Sequence, residues 1–241
     1  MNSEISKTKK MQKNDRIAVC ISGEPRSLNH THESILKFFK NFQNFDIFAY
    51  IPKCPTDSYV KKYLPGAHVE IREDEYIDDT KMPDGKTNIT IGGKLYHTER
   101  FKTGKQRYLQ QINGWKESNR MRKEYEASNG FKYDWVIRSR IDVEYVHNFP
   151  SGEYTDNFLY IPNFHHFNGV NDRFAMGSAE LMNKYLDIID IYKEDPTKCL
   201  HAESFLKYCL DYQQVPVKLI NFRFMRIRED GQKMQNDLTD I

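Results

Sequence analysis

The sequence has no long apolar run, few cysteines and almost no net charge, and each shortage argues against a class of protein. No apolar stretch approaches the ~20 residues that a membrane helix needs, so we expect no integral membrane segment. The 36 Lys and Arg residues against 34 Asp and Glu leave a charge of +2, which gives no reason to expect a nucleic acid partner. The four cysteines match neither a zinc site nor a disulfide framework, so we expect reduced thiols and a cytoplasmic location.

The composition is that of an ordinary folded protein. Hydrophobic residues make up 39% of the 241 residues and charged residues 29%, and a chain of this length most often forms one domain. Residues 1–14 carry lysines without an apolar segment, which predicts a disordered polar tail rather than a secretory signal. We expect residues 15–241 to form a single domain.

Apolar periodicity predicts strands and helices in alternation at the start of this domain. The predicted elements are the strand RIAVCI, the turn SGEPRS, a helix near HESILKFFKNF, the strand FDIFAYI, the helix DSYVKKYL and the strand AHVEIRE. This order predicts an α/β fold of Rossmann-like type, with a mostly parallel central sheet flanked by helices.

The rest of the chain is predicted to complete this sheet. Residues 74–105 form a polar, turn-rich loop with a hairpin at TNITIGGKLY, and a helix follows from about Lys105 to Ala127. The later predicted elements are the strands YDWVIRSRIDVEY, NFLYIP and RFAMGS, the helices AELMNKYLDIIDIYK and AESFLKYCLDY, and one final strand, VPVKLINFRFMRIRE.

The strand YDWVIRSRIDVEY begins like a buried strand and ends in charges. Strand alternation puts four charged side chains on one face: Arg138, Arg140, Asp142 and Glu144. An edge strand with one solvated face would show the same pattern. In open α/β sheets, however, ligands bind at the carboxyl ends of the strands, so a charged end on an interior strand favours a binding site.

The residue types at this strand end suit a nucleoside diphosphate. Asp142 and Glu144, two residues apart, would point the same way and can hold one divalent cation, Mn²⁺ or Mg²⁺. Arg138 and Arg140 supply planar donor groups that bind phosphate oxygens or orient the acidic pair. An Asp-x-Glu pattern by itself arises often by chance, so its position in the chain carries the interpretation.

Four segments occur in a characteristic order: SGEPRS after the first strand, YDWVIRSRIDVEY in mid-chain, then NDRFAMGS and HAESFL. Together they resemble GT-A-type nucleotide-sugar glycosyltransferases, above all small viral and bacterial surface-glycan families in which an RxRxD motif takes the role of the Asp-x-Asp metal motif. The likeness runs from about Arg16 to Val217, with Glu144 where Asp is usual.

The resemblance implies a single GT-A-like domain and a reaction. A sugar would move, with inversion and with the help of Mn²⁺ or Mg²⁺, from a UDP- or GDP-linked donor to a hydroxyl of a glycan or small acceptor. The implied location is the cytoplasm of a bacterial cell or of a virus-infected host.

The resemblance also implies donor contacts outside the charged strand. In such enzymes the loop after the first strand meets the nucleotide; here Ser22 and Gly23 let the backbone approach a ligand, and Arg26 can reach a phosphate. An ordinary strand-to-helix turn is the alternative for this loop. Gln111 lies on the helix that borders the donor pocket in these enzymes, whereas we expect Trp115 on the same face to belong to the core.

Two further carboxylates are implied as catalytic groups. Glu203 lies in the first turn of the helix in HAESFL, where inverting GT-A enzymes commonly carry the base, and His201 would be its neighbour. Asp172 is the second candidate base and is implied to contact sugar hydroxyls. Each has a structural alternative, because acidic residues favour helix N-termini and Asp before a strand often forms an Asx turn.

Two other functions stay open on the sequence alone. A nucleotidyltransferase also combines a diphosphate with an α/β sheet, but SGEPRS lacks the lysine that its glycine-rich loop usually carries. A non-catalytic protein that binds glycans or nucleotides on a transferase-like fold is the other alternative. The presence of Asp142, Asp172 and Glu203 disfavours it.

Overall fold

The structure, a computed structural model, describes residues 8–83, 88–91, 94–97, 100–199 and 201–239, and no side chains between 84 and 103. Within the predicted polar tail, the Met11 backbone N–H donates to the Tyr154 carbonyl at 2.8 Å. The Asp156 N–H donates to the Lys9 carbonyl at 3.0 Å, so this part of the tail is bonded to the domain. The disorder predicted for residues 1–7 concerns residues outside the described ranges.

Seven strands form the central sheet: β1 Arg16–Ser22, β2 Asn44–Pro52, β3 His68–Arg72, β6 Trp135–Ser139, β8 Leu159–Pro162, β9 Phe174–Gly177 and β10 Val217–Ile220. Their order is β10-β8-β9-β6-β1-β2-β3. Strand β9 runs antiparallel to both β6 and β8, and the other neighbouring pairs in this sheet are parallel. The predicted α/β fold with a mostly parallel central sheet is therefore confirmed.

Four further described strands lie outside this sheet: β4 Asn88–Ile91, β5 Lys94–His97, β7 Val143–Glu144 and β11 Met225–Arg226. Strands β4 and β5 pair as the predicted antiparallel hairpin. Strand β11 pairs with β7, whereas β10 pairs with β8 in the central sheet. The prediction of one continuous final strand is therefore wrong, because its two halves join different sheets.

Six α-helices are described: α1 Leu28–Phe39, α2 Tyr59–Tyr63, α3 Arg100–Asn129, α4 Ala179–Leu186, α5 Ile188–Glu194 and α6 Ala202–Tyr212. The helix predicted after β9 is divided at Asp187 into α4 and α5. Short 3₁₀ helices lie at Pro196–Lys198 and Gln235–Asp237. In the described part of the chain, no helix has the length and apolar character needed to cross a bilayer.

The sheet separates two apolar clusters, and β6 contributes to both. Val136 packs in the cluster that includes Trp115 of α3, and Trp135 and Ile137 pack in the cluster that includes Phe38 of α1. This is the alternation that the sequence predicts. Since β6 lies between β1 and β9 and is covered on both faces, the alternative of a solvated edge strand is wrong.

Helix α3 approaches the end of β1 through Gly114. A Cβ atom built on Gly114 would lie 2.9 Å from the Ser22 Cβ, closer than side chains normally approach. The glycine therefore sets the spacing between the helix and the end of this strand.

We expect Gly114→Ala to lower the free energy of unfolding by about 1–3 kcal/mol, because the added methyl group must displace Ser22. Gly104→Ala, in the same helix but with open space at its Cβ, is the matched control and should gain up to about 1 kcal/mol from helix propensity. Urea unfolding measures both. Equal changes in the free energy of unfolding for the two substitutions would contradict the close contact between Gly114 and Ser22.

Candidate functional site

A cleft of about 510 Å³ opens at the carboxyl ends of β1 and β6. From β1 the chain continues to β2 on one side, and after β3 it returns to β6 on the other side, so the strand order reverses at this point. Open α/β sheets bind ligands at such a reversal. Seven of the predicted site residues line the cleft: Ser22, Gly23, Arg26, Gln111, Arg138, Arg140 and Asp142.

The turn after β1 forms the rim of the cleft. Gly23 has φ +111°, a conformation that residues with a side chain rarely adopt, so glycine is required here. Arg26 is more than half exposed, with its Nε 3.1 Å from a carboxylate oxygen of Glu24. The rim thus presents backbone and a solvated guanidinium to the cleft.

Arg138 is buried at the floor of the cleft, with 3% of its surface exposed. Its guanidinium lies 4.5 Å from the ring centre of Trp115 and donates a hydrogen bond to the Asp172 carbonyl. Burial lowers the pKa of Arg138 from its ordinary value, and nearby Asp172 acts in the opposite direction. Arg138 is thus primarily a buried link between β6, α3 and the start of β9.

Arg140 lines the cleft and is fixed by Asp142. Its Nε and Nη2 donate to the two carboxylate oxygens of Asp142, each at 2.7 Å. Burial opposes the charge of Arg140, but Asp142 outweighs this effect and raises the pKa of the guanidinium. This bidentate pair holds the Arg140 guanidinium in a defined orientation at the cleft.

The predicted cation site does not fit this arrangement. The chain bends at Ile141 and Asp142, so β6 and β7 are separate strands rather than one. The Glu144 carboxylate lies 2.8 Å and 2.9 Å from Lys233 Nζ and is outside the cleft lining, while both Asp142 oxygens bind Arg140. Among the described residues, no three His, Cys, Asp or Glu side chains cluster in a way that could hold a metal. Binding of Mn²⁺ or Mg²⁺ stays a prediction.

Asp172 lies behind the cleft, next to residues that line it. Gln111 Nε2 donates to its carboxylate at 2.9 Å, and only 7% of the residue is exposed. The local turn is made by Asn171, whose side chain accepts from the Arg173 N–H at 2.8 Å, so an Asx turn does not account for Asp172. Gln111 therefore connects α3, the cleft and this carboxylate.

Glu203 is buried in the first turn of α6, with 8% of its surface exposed. Its Oε2 lies 3.0 Å from His201 Nδ1. Burial first, and then the charge of Asp172, raises the pKa of Glu203 to about 8, although Arg173 and Arg140 act in the opposite direction. A carboxyl group of this kind exchanges its proton near neutral pH, as a general base or acid must.

The loop before β9 fixes the backbone of Glu203. A Cβ atom on Gly169 would lie 1.9 Å from the Glu203 carbonyl oxygen, and the Val170 N–H donates to that oxygen at 3.2 Å. Sequence reasoning missed this contact. The only signal in the sequence was a glycine in a loop, which predicts a turn and not a close approach to a distant helix.

Sequence reasoning also missed Asp237, a fully buried carboxylate near the C-terminus. It binds Arg173 Nη1 at 2.8 Å, Arg226 Nε at 2.9 Å and His165 Nε2 at 3.2 Å. Burial opposes its charge, but the bonds from His165 and Arg226 outweigh this and hold the pKa of Asp237 well below its ordinary value. The C-terminal segment thus anchors Arg173, the residue that follows Asp172.

Part of the cleft wall comes from the loop predicted for residues 74–105. Tyr76 lines the cleft, and Gln106 of α3 binds both backbone groups of Ile77 next to it. The Tyr192 hydroxyl donates to the Asp78 carbonyl at 2.7 Å. The part of this loop up to residue 83 is therefore bonded to two helices, and residues 84–87 lie outside the described ranges.

Comparison with known families gives one result for this chain. Residues 12–233 match a family described as "Domain of unknown function (DUF7796)". No curated protein matches the chain. The match covers the cleft lining, Asp172 and Glu203, and it stops before Asp237.

The raised pKa of Glu203 predicts a pH-dependent stability. Between the ordinary value of 4.5 and about 8, the folded chain keeps a proton that the unfolded chain has lost, so the free energy of unfolding falls as the pH rises. Glu203→Gln removes this loss and keeps a polar group beside His201. At about pH 8.5 we expect the variant to melt at a higher temperature than wild type, by ~2–4 °C for each kcal/mol of unfolding free energy that wild type has lost. Near about pH 5 this advantage should disappear. A difference independent of pH would contradict a neutral Glu203.

Proposed function

The chain belongs to the DUF7796 family, and we propose that it is a GT-A-type glycosyltransferase that transfers a sugar from a nucleoside diphosphate to a hydroxyl of a glycan or small acceptor. One observation carries the proposal. The buried carboxyl group of Glu203 is close enough to Asp172 for the charge of Asp172 to help raise its pKa to about 8, and Asp172 is bonded to Gln111, which lines an arginine-containing cleft at the reversal of the strand order.

The cleft supports binding of a nucleoside diphosphate. Backbone at Gly23 can approach a ligand closely, and Arg26 and Arg140 supply charge-assisted hydrogen bonds for the diphosphate. Because Asp142 already orients Arg140, little side-chain entropy is lost when a phosphate binds there. UDP- and GDP-linked sugars are the proposed donors.

Glu203 is the proposed base. The acceptor oxygen forms a bond to the anomeric carbon of the donor as the bond from that carbon to the diphosphate oxygen breaks. The acceptor proton passes to the Glu203 carboxylate, and the nucleoside diphosphate leaves with the bonding electrons. The ionised form of Glu203, which is the minority form below its pKa of about 8, is the base, and it is stronger than an ordinary glutamate. Attack from the side opposite the leaving group inverts the anomeric configuration.

Asp172 and the arginines support this step. Asp172 raises the pKa of Glu203 and, through Gln111, is connected to the cleft. Arg140, which lines the cleft, would stabilise the negative charge of the leaving diphosphate. A divalent cation, Mn²⁺ or Mg²⁺, stays part of the proposal and would help to neutralise the diphosphate, although the Asp142 oxygens bind Arg140 and Glu144 binds Lys233 in the structure.

The cytoplasm of a bacterial cell or of a virus-infected host is the proposed location. All four cysteines are free thiols in the structure, which is the expected state in a reducing compartment.

Nucleotide binding is tested by the melting temperature with UDP, GDP, CMP and dTDP, each with and without Mn²⁺. A ligand at 100 times its Kd stabilises the fold by about 2.7 kcal/mol, or ~5–11 °C for a domain of this size. We expect one nucleotide to give such a shift and Arg140→Gln to lose it. Arg16→Gln, at the opposite end of β1, is the matched control and should keep it.

Two outcomes of this measurement decide further points. A shift that requires Mn²⁺ in wild type and is lost in a folded Asp142→Asn protein would establish a cation at Asp142. No shift with any nucleotide would contradict the proposed donor site.

Transfer itself is tested with the sugar forms of the nucleotide that binds. We expect Glu203→Gln to lower kcat by about 10³-fold, because the proposed base is removed, and to keep the nucleotide-induced shift. Transfer of a nucleotidyl group instead of a sugar would identify a nucleotidyltransferase. Nucleotide binding by wild type without any transfer would identify a non-catalytic binding protein.

A further inference from the structure

Phe167 differs from the other phenylalanines of the chain in its packing. Every other phenylalanine whose side chain the structure describes lies in, or packs against, one of the two apolar clusters. Phe167 does neither, although it is half-buried. A half-buried aromatic ring outside both clusters is available for contact with a ligand.

The backbone at Phe167 is held in an unfavourable conformation. Phe167 has φ +43° and Asn168 has φ +63°, both in the left-handed region. Asparagine tolerates this region, whereas a bulky aromatic residue rarely occupies it. Such conformations persist only where the surroundings impose them, and they concentrate at functional sites.

Anchors at both ends impose this conformation on the loop. On one side, His165 Nε2 lies 3.2 Å from the buried Asp237 carboxylate. On the other side, Gly169 packs without space for a Cβ atom against the backbone carbonyl of Glu203. The loop therefore presents the Phe167 ring in a fixed position relative to the proposed base.

The ring lies beside the group that contacts that base. Phe167 stacks on His165 at 5.3 Å with an angle of 9° between the rings, and its centre is 6.4 Å from that of His201. His201 Nδ1 is in turn 3.0 Å from Glu203 Oε2. The Phe167 ring is thus next to the His201 imidazole, and this imidazole is next to the Glu203 carboxyl group at the start of α6.

We propose that Phe167 is the platform on which the acceptor binds, and that the acceptor is a pyranose sugar. This inference rests on the proposed function. The C–H groups on one face of a pyranose are apolar and slightly positive, and the face of a phenyl ring is slightly negative, so the two attract each other. A sugar stacked on Phe167 brings its hydroxyls to the edge of the ring, towards His201 and Glu203. A flexible polyol or a simple alcohol has no such face.

Two glycine substitutions test the platform. Phe167→Gly and Asn168→Gly both place glycine at a left-handed residue, so both relieve the backbone, but only the first removes the ring. We expect Phe167→Gly to raise the KM for the acceptor about tenfold and to leave the KM for the donor unchanged. Asn168→Gly should leave both values unchanged, and Phe167→Tyr should keep acceptor binding. Equal effects of the two glycine variants, or no effect of Phe167→Gly, would overturn the proposal.

A binding measurement separates this inference from the proposed function. Saturation-transfer NMR with methyl glucoside, galactoside and mannoside, recorded with and without the nucleotides used above, reports contact with the pyranose C–H groups without any turnover. We expect a saturation-transfer signal with wild type and Asn168→Gly, and the loss of this signal with Phe167→Gly. If nucleotides bind but no pyranoside does, the platform is wrong while the donor site stands. If pyranosides bind and no nucleotide shifts the melting temperature, the platform stands and the transferase proposal is wrong.

Discussion

The buried guanidinium of Arg138 is the interaction on which the arrangement of the cleft depends. A charge with 3% exposure is stable only if its surroundings supply fixed partners, since its hydration is lost. Trp115 of α3 provides a ring face and the Asp172 carbonyl provides a hydrogen-bond acceptor. This requirement fixes α3, the end of β6 and the start of β9 relative to one another. The cleft floor and the carboxylate behind it are held by the same contact.

Asp237 is a second buried charge that holds separate parts of the chain together. Asp237 is buried and binds Arg173, Arg226 and His165, so the C-terminal segment is tied to the start of β9 and to the loop that carries Phe167. The charges behind the cleft are therefore ordered by partners from distant parts of the chain. Such an arrangement keeps a carboxyl group like Glu203 away from water without leaving its neighbours unpaired.

The proposed donor cleft, base and acceptor platform lie on different elements but share these supports. Arg140, oriented by Asp142, faces the cleft, and Gln111 connects the cleft to Asp172. Glu203 follows at the start of α6, where Gly169 holds its backbone. In the proposed reaction, the donor diphosphate in the cleft, the Glu203 carboxylate and the Phe167 ring would act together in sugar transfer to a hydroxyl.

The sequence alone determined the features that depend on local pattern. Alternation along β6 predicted which residues face each cluster, and the turn after β1 together with the charged strand end located the cleft. Only the tertiary structure decided that Glu144 pairs with Lys233 and Asp142 with Arg140, that β9 is antiparallel, that Asp237 binds His165, and that Phe167 lies beside His201. The reason is physical: periodicity reports which side of an element is buried, whereas strand direction and the partner of a buried charge depend on contacts between residues far apart in the chain.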